Sequence, residues 1–432
     1  MKRYVAKRVF EKTKELIESL AYKELCRMSA NVLIHNRKIT VPELVTTVLR
    51  GAERGIHTAM LEMKNSKEVK TKSYSEAAFC KARRKVNYIA FKALSDYAAN
   101  IFYDAADEAL KFADKYRVWA IDGSKIRLPN TPDIAEEFGI AKYINGECAQ
   151  GLASCLYDVL NKITLDAVLE HNKANERTLA ENHIQVLDEY CQKQKLNPQN
   201  ELITIDRGYP SETIIRLMLR KGFSFVARIN KNQLWRETRD VTEDDSIITR
   251  GDITVRVVQV PLKQPEITES GEVITKATLI TNISEEEMTK EEVAELYRLR
   301  WCIETNYGFL KKRIELENFT GLSALCVRQD FYAAIYLSNL VACSEYDAAE
   351  QIEKYNRDKK YDYKPNFTEL YRQLHRDLFT LVLTDSSRRR DLALNRINDE
   401  IRATLIPIRP NRNPKRSKPA KAPKFHRHHK PS

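Results

Sequence analysis

Glycine and proline are scarce, 12 and 14 of 432 residues, which excludes collagen-like and low-complexity chains. The eight cysteines (Cys26, Cys80, Cys148, Cys155, Cys191, Cys302, Cys326, Cys343) are scattered, with no C-x-x-C pair and no Cys/His cluster at zinc-ligand spacing. A chain this long needs no disulfide staples, so they read as reduced, largely buried thiols of a cytosolic protein. No stretch approaches the ~18 uncharged apolar residues that a bilayer span requires. The opening MKRYVAKRVFEKTKEL holds no apolar run of signal-peptide length either. Also missing is any GxxxxGK[ST] phosphate loop, so no nucleotide cofactor is expected. With 43% hydrophobic and 31% charged residues, the chain reads as soluble and globular, with no membrane partner.

Acidic residues are absent from the last 32 positions, Ile401 to Ser432, which carry ten Lys or Arg. That leaves 62 of the 72 basic side chains to face all 60 acidic ones in the first 400 residues. The formal charge of +12 is therefore mostly a tail on a nearly neutral body. Such a tail has little to pack and should be disordered alone. Its natural partners are polyanions, because neutralising phosphates releases counterions.

Residues 1–113 read as helical, with apolar residues at three- and four-residue intervals in KTKELIESLAYKEL, PELVTTVLRGAERGIHTAMLEM and SEAAFCKARRKVNYIAFKALSDYAANIFYDAADEAL. Ser73 or Ser75 starts the third of these, and Lys70, Lys72, Lys81, Arg83, Arg84 and Lys85 cluster near its beginning. A basic helix edge suits DNA docking, and equally suits plain solvation. The pattern then changes to short strands: YRVWAI (116–121) ending in Asp122-Gly123-Ser124, then 151–160 and 162–170. A helix over 176–193, the strand ELITI (201–205) running into Asp206-Arg207-Gly208-Tyr209, a helix near 211–221 and the strand FSFVARI (223–229) complete an α/β unit with a mixed sheet. Residues 230–284 read as an all-β insertion, and Thr289-x-x-Glu292 is a capping box opening a helix to about Ile314. More helices fill the chain to about 405.

Three features invite chemistry. Asp122 and Asp206 each follow a short apolar strand, where fixed carboxylates can converge on a ligand; turn chemistry explains either one alone. In ELYRLRWCIETNYGFLKKRIEL, Tyr297, Arg300, Glu304 and Lys311 fall within roughly a 60° arc at 3.6 residues per turn. Leu296, Leu299, Ile303, Tyr307, Leu310 and Ile314 fill the adjoining arc. On spacing alone, this is also an ordinary amphipathic helix with an Arg300–Glu304 pair.

The spacing Y-x-x-R-x-x-x-E-x-x-x-x-x-x-K, matched by Tyr297, Arg300, Glu304 and Lys311, resembles the signature of a large group of bacterial insertion-sequence DDE transposases. The resemblance takes in both strand–Asp segments in the family's order, the β-rich insertion before the glutamate, SEAAFCKARRKVNYIAFKAL and the basic RPNRNPKR. It implies a ribonuclease-H-like mixed-sheet core over 114–345, interrupted by the insertion at 230–284. A helical DNA-binding region (1–113) would precede it, and C-terminal helices (346–405) and the basic tail (406–432) would follow.

By the same resemblance, Asp122, Asp206 and Glu304 would be the catalytic, metal-binding triad. All-carboxylate ligation suits Mg²⁺ or Mn²⁺, and two ions together serve in-line displacement at phosphorus. Tyr297, Arg300 and Lys311 would contact DNA, with Arg207, Arg228 and Lys125 as further candidates. Some relatives capture a flipped base on an aromatic residue of the insertion while a DNA hairpin forms. Trp235, at the insertion's entrance, is the candidate here, while Trp119 and Trp301 read as packing groups. The implied function is binding of terminal inverted repeats and metal-dependent cut-and-paste cleavage and strand transfer on double-stranded DNA. A homodimer joining two ends, in the bacterial cytoplasm at the nucleoid, goes with it.

Two other readings compete. Another ribonuclease-H-like nuclease or resolvase would leave the Tyr/Arg/Lys stripe without a reason. A transposase-derived DNA-binding regulator would be expected to have lost one of the three carboxylates.

Overall fold

The chain is seen here as a computed structural model that describes residues 5–29, 38–66, 74–106, 109–143, 146–230, 233–239, 241, 243–267 and 273–409. Lys70, Lys72 and Ser73 of the sequence expectations, and the tail from 410 on, lie outside the described residues.

The N-terminal part is helical but broken into more pieces than its periodicity suggests: α1 (Val5–Glu18), α2 (Leu20–Leu25), α3 (Val41–Arg54), α4 (Ile56–Asn65), α5 (Glu76–Arg83) and α6 (Ile89–Ala105). The breaks have local causes. Ser19 accepts from Tyr22 N–H to start α2, Thr40 and Glu43 form a reciprocal capping box on α3, and Ser75 caps α5. Gly55, at φ 86°, ends α3 and begins α4 in a conformation open to glycine. Between α5 and α6 the buried Val86 pairs with Arg27 as an isolated bridge.

The core runs β1 (Arg117–Arg127), α7 (Pro132–Phe138), β2 (Ile140–Tyr143), β3 (Gly146–Asp158), β4 (Ile163–His171), α8 (Glu176–Gln194), β5 (Glu201–Ile205), α9 (Glu212–Lys221) and β6 (Ser224–Ile229). In the sheet, β4, β3, β1, β5 and β6 lie side by side in that order. β3 is antiparallel to β4 and to β1, while β1, β5 and β6 are parallel. Three antiparallel strands continuing into parallel ones, with α8 packed on β1 and β3, make the expected ribonuclease-H-like arrangement. The five residues of β5 are all buried, as a central strand covered on both faces requires.

Two expectations need correction. β1 does not stop at Ile121: it runs to Arg127, because β3 continues to pair with it from Asp122↔Cys155 to Arg127↔Gln150. The insertion, read as all-β, also holds a short helix: it runs α10 (Arg236–Arg239), β7 (Asp245–Arg250), β8 (Ile253–Ile267) and β9 (Val273–Thr281). β9 pairs with β6 from Val226↔Thr281 to Ile229↔Thr278, so all three strands extend the core sheet to nine.

The chain then forms α11 (Lys290–Leu299), α12 (Trp301–Lys312), α13 (Ala324–Asn356), α14 (Phe367–Arg376), α15 (Leu378–Leu383) and α16 (Ser387–Ala403). The 33-residue α13 crosses the anticipated division at 345/346 and packs against α1, α3, α6 and β4. N-terminal and C-terminal helices thus share one apolar interior, including Phe10, Phe91, Tyr336 and Leu340, each worth ~1.5–3 kcal/mol on burial. Arg83 belongs to that interior. It is 2% exposed, ion-paired with Asp330 at 2.6 Å and hydrogen-bonded to Gln329 and Thr320, so it leaves the basic helix edge anticipated for DNA. Among the described residues no helix is long and apolar enough to cross a membrane.

One buried polar set resembles a hydrolase triad. His183 hydrogen-bonds Asp166 at 2.8 Å and Ser154 at 3.0 Å, and Asp166 also takes Lys92 at 2.6 Å. Ser154 and His183 are each 1% exposed. No substrate reaches them, and the set ties α8 and α6 to β3 and β4.

Candidate active site

The parallel register of β1 and β5 ends at Ile121↔Ile205, so Asp122 and Asp206 are the next residue on each strand. Side chains at matched register share a sheet face, and the two carboxylates therefore open on the same side where the strands part. Asp122 sits within β1 rather than after it, and its exposure comes from β5 ending beside it.

Over this point lie α11 and α12. The Thr289–Glu292 capping box starts α11, as its sequence predicts. The continuous helix expected to about Ile314 is interrupted at Arg300. Arg300 N–H bonds Tyr297 O at 3.1 Å and Ile303 N–H bonds Arg300 O at 3.1 Å, closures of three residues where an α-helix has four. Beyond the break, the Tyr307 hydroxyl donates to the Asp122 backbone carbonyl at 2.9 Å and holds α12 on β1.

The four signature residues meet β1 and the end of β5. Tyr297 O–H donates to Asp206 Oδ1 at 2.9 Å. Arg300 lies between three carboxylates: Nη2 is 3.0 Å from Glu304 Oε1 and 3.7 Å from Asp206 Oδ2, and Nη1 is 3.8 Å from Asp122 Oδ2. Lys311 donates to Ser124 Oγ at 2.8 Å and to the Lys125 carbonyl at 2.7 Å. Arg300, expected to face phosphate, is instead 2% exposed and turned inward.

Burial pushes Asp122 up to about 6, against the pull of Arg300 and the Gly123 N–H. Burial acts upward on Asp206 too, yet Arg300, the Arg207 N–H and the Tyr297 hydroxyl together hold it below its ordinary value. Burial likewise lowers Lys311. For Arg300, burial opposes the charge, and Asp206, Tyr297, Asp122 and Glu304 outweigh it, so the guanidinium stays protonated.

The remaining candidates divide. Arg228 is half-buried and acts on Asp206 through space. It lines a cleft of about 520 Å³ with Val260, Tyr297, Arg298 and Trp301. Arg207 is exposed next to Asp206, and Lys125 is turned to the Asn172 carbonyl. Trp235 departs from its expected role: it is 4% exposed and its Nε1 donates to Glu212 at 3.1 Å, so its ring is packed away. Trp301, read as a packing group, is the exposed tryptophan, at 51%, with the Arg300 guanidinium 5.6 Å from its ring centre. Tyr307 and Tyr209 were missed as site residues. Tyr307 sits in the apolar arc, and Tyr209, buried beside Asp122, was legible only as the fourth letter of D-R-G-Y.

Residues 113–340, from just before β1 into α13, match the transposase DDE domain family. The chain belongs to that family. No curated protein matches it. Among solved structures, a cryo-EM piggyBac transposase synaptic complex with hairpin DNA is similar at TM-score 0.44 and 11% identity, over 97% of this chain and 87% of that one. That likeness is too remote to carry the complex's DNA or assembly across.

DDE transposases use divalent metal ions, and the donors present fit such ions. All three carboxylates offer hard oxygens, and they carry more negative charge than one guanidinium offsets. Among the described residues no three His, Cys, Asp or Glu side chains stand in metal-holding geometry, and here a guanidinium takes the centre. Arg300 Nε and Nη1 lack hydrogen-bond partners, so the ion cluster is not a closed structural one.

Proposed function

We propose that this transposase is that of a bacterial insertion sequence of the Y-R-E-K group, binding its element's terminal inverted repeats and performing metal-dependent cut-and-paste transposition on double-stranded DNA. The observation that carries the reading is the meeting of Tyr297, Arg300 and Glu304 with Asp122 and Asp206: Tyr297 hydrogen-bonds Asp206, 91 positions away, and Arg300 lies among the carboxylates of Asp122, Asp206 and Glu304.

Asp122, Asp206 and Glu304 would hold the Mg²⁺ or Mn²⁺, and two such ions supply activation of the nucleophile and stabilisation of the leaving 3′ oxygen. The chain's own groups do the positioning. Tyr297 orients the Asp206 carboxylate, and Tyr307 fixes the height of α12, and so of Glu304, above β1. Lys311 places a cation beside the strand end, with Arg207, Arg228 and Lys125 as further phosphate contacts. Trp301, beside the cleft, is better placed than Trp235 to meet an unstacked base. Residues 1–113 and the basic tail would add DNA contacts around this core, and two copies would pair the element's ends in the bacterial cytoplasm.

Labelled element-end DNA incubated with the protein and Mg²⁺ should give free 3′-hydroxyl ends and joined products. Glu304→Gln should lower both by ~10³-fold or more. Near wild-type activity in that variant would overturn the assignment.

A further inference from the structure

Arg300 stands where its own signature gives it little reason to be. A phosphate clamp belongs at the surface, but this side chain is 3% exposed and points into Asp122, Asp206 and Glu304. Nη2 is shared by Asp206 and Glu304, while Nη1 faces Asp122. Only the Glu304 contact, at 3.0 Å, has hydrogen-bond length; those to Asp122 and Asp206 are 3.8 and 3.7 Å. The guanidinium is thus held by charge more than by hydrogen bonds, with Nε and Nη1 left without partners.

We infer that Arg300 is the resident counter-cation of the DNA-free site: it holds the three carboxylates around one centre and must leave before divalent ions can enter. This rests on the proposed metal-binding role of those carboxylates and concerns what occupies their centre beforehand. In this state Arg300 is a positioning residue, acting through the three acids.

Electrostatics make the two occupants exclusive. Three clustered carboxylates cannot all stay ionised without a nearby cation, and a divalent ion next to a buried guanidinium is repelled by it. The backbone supplies a joint for the exchange. Arg300 lies at the break between α11 and α12, where the ladder tightens to three-residue closures. Its ring neighbours mark a way out, with Tyr297 at 5.8 Å and the half-exposed Trp301 at 5.6 Å. Swung toward Trp301, the guanidinium would reach the cleft lined by Arg228 and Arg298, where a DNA phosphate could receive it. Metal affinity of the DNA-free protein is then reduced by the fraction of molecules with Arg300 in place.

The test is a Mn²⁺ titration of the full chain without DNA, followed by electron paramagnetic resonance, together with melting in chelator and in Mn²⁺. Arg300→Met should bind Mn²⁺ at least ~10-fold tighter than wild type. Its melting temperature should fall in chelator and recover in Mn²⁺ by more than the wild type gains. Arg300→Lys, which keeps a cation, should bind Mn²⁺ weakly, as wild type does. Arg300→Met that is folded by circular dichroism but binds Mn²⁺ no tighter overturns the inference. If it does not fold in chelator, refolding by Mn²⁺ supports the inference, and failure to refold overturns it. Asp122→Asn separates the two readings: Mn²⁺ binding that depends on Asp122 but ignores Arg300 sinks only the counter-cation. Binding indifferent to Asp122 sinks the metal site itself.

Discussion

Asp122 should make the metal-free protein less stable at neutral pH than it would be with a neutral residue there. Its carboxyl is raised from 3.8 to about 6, chiefly by burial. Well below 3.8 the group is protonated in both folded and unfolded chains and has no effect. Between the two values the unfolded chain sheds its proton first, so stability is lost as pH rises; above 6 the loss is complete. At about 1.4 kcal/mol per unit of difference, the full effect is about 3 kcal/mol. Asp122→Asn keeps an oxygen for the Gly123 N–H, bonded at 2.9 Å, and removes the charge. In excess chelator at pH 8, its urea midpoint should therefore correspond to a gain approaching ~3 kcal/mol over wild type, shrinking as pH falls and vanishing about a unit below the ordinary carboxyl value. Asp206 is held below its ordinary value, so Asp206→Asn should lose stability at neutral pH instead. An Asp122→Asn protein that is less stable at pH 8, or whose difference from wild type does not change with pH, would refute the reasoning.

Two further outcomes are expected. Arg83→Met leaves Asp330 buried without its 2.6 Å partner, so it should cost ~3–5 kcal/mol in urea unfolding while leaving the salt dependence of DNA binding unchanged. Trp301→Ala and Trp235→Ala should separate cleanly by calorimetry and end-cleavage assay. Loss of the exposed ring should keep the melting temperature within a few degrees and slow cleavage, whereas loss of the buried one should cost ~3–5 kcal/mol.

Much of the core was legible because local signals agreed with the fold. The apolar run ELITI, all five residues buried, and the Thr289–Glu292 box each act within a few residues of themselves. What escaped depends on neighbours distant in sequence. β1 outruns its apolar segment because β3 supplies partners to Arg127, and β9 joins the core because β6 offers a free edge. Arg83 reads as one more surface cation until Asp330, 247 positions away, is seen to enclose it. Trp235 and Trp301 exchanged expected places for the same reason: an indole's position in a chain says nothing about whether Glu212 or solvent waits for it. The stripe's four residues do face the sheet: Tyr297 and Arg300 reach Asp206 and Asp122, Arg300 pairs with Glu304, and Lys311 bonds Ser124 and Lys125 of β1. The continuous helix expected through them is instead interrupted at Arg300, the residue that turns inward.

Two carboxylates that face one guanidinium are displaced in opposite directions because their other partners differ. Asp206 is answered by Arg300 and the Tyr297 hydroxyl at 2.9 Å, which come from α11 and its junction with α12, by the N–H of its neighbour Arg207, and by Arg228 of β6. Asp122, one strand over, lies under α12, whose nearest hydroxyl, on Tyr307, bonds the Asp122 backbone rather than its carboxylate. From the junction of the two helices Arg300 reaches both acids, at 3.7 Å from Asp206 and 3.8 Å from Asp122. The acid left short is the one on the longer, better-anchored strand, where nine consecutive pairings with β3, Trp119 to Arg127, keep its backbone from yielding. Its charge is therefore met less fully than that of Asp206, and the carboxyl holds its proton to a higher pH.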